Sequence, residues 1–168
     1  MRHSTVSVSS VCVLCLGLRA FCQIPQVNSI TGVPDYVLYH FFFNRVMWLQ
    51  DQADKKQSQG KDGDLPRNLI QQQAGLTNQQ ASALVAIASD WRVNEAAIRA
   101  QVGVIAAAGA RLPASPQLQA LQAQSHQLVL DHLGQLQTAL GPGAFYVLDL
   151  YVRRTVNISG PGITPVGN

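Results

Sequence analysis

A chain of 168 residues is long enough for one domain to bury a sizeable core, and a formal charge of +3 is too slight to mark a nucleic-acid binder. Arg2 and Arg19 fall within the first 22 residues, and without them ten cations face nine anions, a balance near +1. Cys12, Cys15 and Cys22 crowd the same segment and no cysteine follows, which excludes a disulfide scaffold or a cysteine metal site from everything after it.

That first segment has the layout of a secretory signal peptide. A short basic start, Met1-Arg2-His3, precedes the apolar run VSVSSVCVLCLGL, and Ala20 and Cys22 stand three and one residues before a cut ahead of Gln23. The run falls short of the roughly 20 apolar residues that a membrane span needs. Export to the periplasm or exterior is expected, with a signal peptide over 1–22, and no stable membrane span is expected in the mature chain. Residues 23–33 show no helical period and read as a flexible leader.

Pro34 suits a first helical turn and Asp35 complements the dipole there, so a helix is expected over 34–57. Tyr39, Phe42, Val46, Leu49 and Ala53 form its stripe, but Phe41, Phe43, Met47 and Trp48 widen the apolar surface beyond one face. Such a helix is either buried on two sides or exposes part of its aromatic face to bind a partner. SQGKDG at 58–63 is a turn. Asp64 is expected to cap a short helix to Ala74, with Gly75 closing it.

Leu84, Ala88, Trp91, Glu95, Ile98, Val102, Ile105, Gly109 and Leu112 recur at steps of four and three, which predicts one long helix over 78–111. Unbroken, it is roughly 50 Å long at about 1.5 Å per residue. Thr77 is its expected N-cap, Gln80 at N3 completes a capping box, and Leu76 can staple onto Ala81. Pro113 is the expected stop. Ser115 caps the next helix and Pro116 opens it, with a stripe of Leu118, Leu121, Ser125, Leu128 or Val129, Leu133, Leu136 and Leu140. So short a connection predicts an antiparallel hairpin. Gly141-Pro142 stops its second arm, and Phe145, Leu148, Val152 and Val156 mark a last short helix over 144–157, ahead of a Gly/Pro-rich tail at 158–168. The expected fold is all-α: a long antiparallel hairpin, one long N-terminal helix and two short helices in a single domain over 34–157.

Chemistry is sparse in this pattern. His126 and His132 stand six apart, off the three- or four-residue spacing of helical zinc ligands, and no phosphate-binding glycine loop or nucleophile elbow occurs. Glu95 lies inside the long stripe, where Arg99 at i+4 and Arg92 at i−3 can pair with it at the stripe's edge. Arg153 and Arg154 read as solvated cations near a helix C-terminus. No catalytic, cofactor or metal site is expected. The candidate partner-binding residues are Phe41, Phe43, Met47 and Trp48.

Leu76-Thr77-Asn78-Gln79-Gln80 resembles the LTxxQ motif of the Spy/CpxP-like family of periplasmic helical proteins. The resemblance covers these five residues, with Leu76, Thr77 and Gln80 matching the motif, and a similar helical layout. It implies an all-α fold with a long hairpin, and an ATP-independent chaperone-like or envelope-stress role toward unfolded or partner proteins. The alternative is a structural or regulatory interaction domain with one specific partner.

Overall fold

The computed structural model describes residues 33–109 and 115–156, which form four helices with no strand among them. The expected signal peptide and most of the leader, the 110–114 connection and the tail lie outside the described residues. Helix α1 spans Asp35–Ser58, α2 Asp64–Ala74, α3 Asn78–Ala107 and α4 Pro116–Thr155.

The caps act largely as the local chemistry dictates. Thr77 accepts a hydrogen bond from the Gln80 N–H and receives Gln80's side chain on its own N–H, closing the capping box at the start of α3. Ser115 does the same for α4 by accepting from the Leu118 N–H, with Pro116 in the first turn. Gly75 ends α2 in the left-handed region, at φ 63°. At the start of α2 the expectation shifts by one residue. Asp64 is already helical, and the acceptor for its N–H is the Asp62 carboxylate, at 2.7 Å. Gly63 holds the cap position because a Cβ there would meet the Ala53 carbonyl oxygen at 2.6 Å.

Two helix ends differ from the sequence pattern. The long helix stops at Ala107, short of the expected end, and Gly109 just beyond it adopts φ 92°. Beyond Arg99 nothing on α3 is fully buried, and Val102 and Ile105 are only half covered, so tertiary packing no longer opposes the glycine. Gly141, at φ 73° and ψ 166°, does break the second arm. The helix resumes at once with Pro142, so α4 is two segments, 116–140 and 142–155, joined by a kink.

Side-chain bonds reveal the directions of the helices. Gln80 reaches the Leu140 carbonyl, Asp90 meets His132 and Glu95 meets Ser125, so numbers fall on α4 as they rise on α3. That is the antiparallel hairpin. Asp51 pairs with Arg92, while His40 lies beside Arg99, which sets α1 antiparallel to α3. Asp35 with Arg153, and Tyr39 with Asp149, set the last segment of α4 antiparallel to α1. Helix α2 spans the base, tied to α1 through Arg67–Asp54 and to the last segment through Gln73–Tyr151.

All four helices contribute to one core of Leu, Val, Ile and aromatic side chains, with Tyr39, Phe42, Phe43 and Trp91 at its centre. Within the α4 stripe His132, not Leu133, takes the fully buried place, joined to the Leu128 carbonyl and the Asp90 carboxylate.

Candidate functional site

Phe41, Phe42 and Phe43 are consecutive on a helix, so about 100° separates each ring from the next. Only two of the three can face a core. Phe42 and Phe43 do, and Phe43 is 0% exposed against Trp91, with ring centroids 5.5 Å apart. Phe41 is left outside at 49% exposure. Seven residues on, Trp48 shares its face at 58%, while Met47 is half-buried against the core. Of the four candidate contacts, Phe43 is therefore a core residue and unavailable to a partner, and Met47 is only partly available. Phe41 and Trp48 remain.

Each of these two rings borders a cleft. Trp48, with Asn44 and Met47, faces Trp91, Arg92 and Arg99 of α3 across a cleft of about 330 Å³. Phe41, with Tyr36 and His40, faces Ser125, His126 and Val129 of α4 across a smaller one of about 220 Å³. A polar cluster links the two. Glu95 Oε1 accepts from Arg99 Nε at 3.2 Å, and its Oε2 accepts from the Ser125 hydroxyl at 2.8 Å. Arg99 also lies 3.5 Å from His40 Nε2, and His40 stands edge-on to Trp91, with ring centroids 5.2 Å apart. Burial lowers the His40 pKa from its ordinary value; Glu95 opposes that shift, while Arg99 and His126 add to it. His126 is stacked on Tyr36, centroids 3.9 Å apart.

Glu95 departs from the edge position expected of it. It is buried, and Arg99 and Ser125 satisfy it, whereas Arg92 turns away to both oxygens of Asp51 at 2.9 Å. The hydrogen bond to Asp51 raises the Arg92 pKa. Arg153 departs further. Its guanidinium donates to Asp149 at 2.8 Å and to Asp35 at 2.9 Å, while Tyr39 donates to the other Asp149 oxygen at 2.9 Å. Burial works against the Arg153 charge, and its bonds to the two carboxylates more than offset that, so its pKa is raised. The Tyr39 phenol is also pushed up, by burial first and by Asp149 second. This network fastens the start of α1 to the end of α4.

The motif residues have structural work. Leu76 is buried in the core, Thr77 and Gln80 form the capping box, and Gln80 Nε2 donates to the Leu140 carbonyl at 3.4 Å. That last bond pins the start of α3 to the kink in α4. Among the described residues no group of three or more His, Cys, Asp or Glu side chains could hold a metal ion, and no helix is long and apolar enough to cross a membrane. No family model, no curated protein and no solved structure matches this chain.

Proposed function

We propose that this chain is an exported helical binding protein that holds unfolded polypeptides without nucleotide, using the outer face of α1. The observation that carries the reading is the exposure of Phe41 and Trp48, two turns apart on one face, beside rings of the same helix that are wholly buried. Both rings are already about half covered, so hiding the rest of each is worth about half of the ~1.5–3 kcal/mol of full burial. Two of them supply roughly 1.5–3 kcal/mol, far below the ~8 kcal/mol of a micromolar complex. That magnitude suits loose, reversible capture better than one tight and specific partner. The signal-like first 22 residues support export, and the LTxxQ-like start of α3 points the same way.

The test is light scattering of reduced insulin in the presence of an equimolar amount of the protein. Suppression of aggregation is expected from the native chain, and most of it should vanish with Phe41→Ser and Trp48→Ser together. Equal suppression by the double variant, or none by the native chain, sinks the reading.

A further inference from the structure

Charge is divided unevenly on α1. Its carboxylates are all committed to arginines of other helices: Asp35 to Arg153, Asp51 to Arg92 and Asp54 to Arg67. Its cations are not. Arg45, Lys55 and Lys56 make no ion pair and no side-chain hydrogen bond, and among the described residues only Arg154 shares that state.

Arg45 is the one placed to use its charge. Steps of four and three from Phe41 to Arg45 to Trp48 keep the three on one face of the helix, and Lys55 follows seven residues on. A half-buried arginine thus lies between the two exposed rings. The carboxylates bordering the Trp48 cleft are not free to neutralise it. Arg92 holds both oxygens of Asp51, while Arg99 and Ser125 hold Glu95.

We propose that the outer face of α1 selects polypeptide segments in which a carboxylate stands between two apolar side chains, and that Arg45 receives the carboxylate. The inference rests on the reading above for the surface and the class of partner, and adds what that surface prefers. Along the helix axis Phe41 and Trp48 are about 10.5 Å apart, the length of roughly three extended residues. A segment with apolar side chains three positions apart and Asp or Glu between them therefore matches both rings and the cation. The planar guanidinium fork suits a carboxylate, and arginine with aromatic rings is the composition enriched where interfaces hold most tightly. A nucleic acid calls for a longer basic stripe, and a lipid surface for an apolar face wider than two rings.

The test uses the ¹⁵N-labelled chain, titrated with a blocked, tryptophan-free peptide containing Leu-Glu-Ser-Leu and with versions in which Gln or Lys replaces Glu. The readout is the Trp48 indole N–H signal, with the buried Trp91 indole as internal reference. Binding of the Glu peptide is expected to be about two- to fivefold tighter than that of the Gln peptide, the range of an exposed ion pair, with the Lys peptide weakest. Arg45→Gln should erase this preference at an unchanged melting temperature, and Arg45→Lys should keep part of it. Raising the salt to about 0.5 M should shrink the preference in the native chain, a check that needs no variant. Equal affinity for the Glu and Gln peptides, or a preference indifferent to both Arg45→Gln and salt, overturns the proposal and leaves the chaperone-like reading intact. Tighter binding of phosphatidylglycerol vesicles or of an oligothymidylate than of the Glu peptide also overturns it. A chain that binds none of the three peptides sinks both.

Discussion

The two sides of α1 are built from the same kinds of residue and do opposite things. On the inner side Leu38, Tyr39, Phe42, Phe43, Val46 and Leu49 are all buried, and Tyr39 reaches across to Asp149. On the outer side Phe41 and Trp48 stand in solvent at the mouths of two clefts. Composition does not separate these rings. Angular position does, because the hairpin and the last segment of α4 cover only one arc of the helix. The inner rings carry stability and the outer ones are free for contact.

The strongest way to break this comparison is Phe43→Ala. It should cost about 3–5 kcal/mol, as for a large ring deleted from a packed core, and a denaturant midpoint will read it. If stability is hardly changed, the inner side is not the core. Next comes Arg153→Ala, which strands Asp149 in the interior. About 3 kcal/mol of loss is expected there, against less than ~0.5 kcal/mol for Arg154→Ala at the exposed neighbouring position. Equal effects at the two positions would mean that the network fastening α1 to α4 contributes nothing. Thr77→Ala removes the N-cap of α3 and should cost about 1 kcal/mol in thermal or chemical unfolding.

His40 gives a smaller effect with a definite sign. Its folded pKa lies below the ordinary 6.5 because the charged ring is disfavoured by burial and by Arg99 and His126, Glu95 opposing. The unfolded chain therefore takes up the proton first as pH falls. His40's contribution is full above about 6.5 and is lost as pH drops from there toward the folded value. Trp91, Tyr36 and Ser125 complete its surroundings and carry no charge that would reverse this. His40→Gln should flatten that part of the stability–pH curve, as measured by urea unfolding at a series of pH values. Smallest of all, Phe41→Ser and Trp48→Ser should each shift stability by no more than ~0.5 kcal/mol.

What was legible in the sequence follows the range of the forces involved. Capping at Thr77 and Ser115 and the break at Gly141 depend on neighbours within a few residues, and all three could be read directly. The α3 stripe from Leu84 to Ile98 was equally plain, because a helix repeats its own face. The failures depend on distant partners. Arg153 looks solvated beside Arg154 until Asp35, 118 positions away, and Tyr39 are brought to the Asp149–Arg153 turn. Arg92 had Glu95 close in sequence, but the fold offers it Asp51 with both oxygens aligned. Three adjacent phenylalanines share one local signal, and only the placement of α3 and α4 selects Phe41 as the exposed one.

Tryptophan emission tests the central claim most directly, because Trp48 is exposed and Trp91 is buried. Acrylamide should quench the first readily and the second poorly. With reduced insulin B chain, which contains no tryptophan, as client, the quenchable fraction should fall as Trp48 is covered, in proportion to the client held. If aggregation is suppressed while Trp48 remains as quenchable as in the free protein, the outer face of α1 is not the contact surface and the account is wrong.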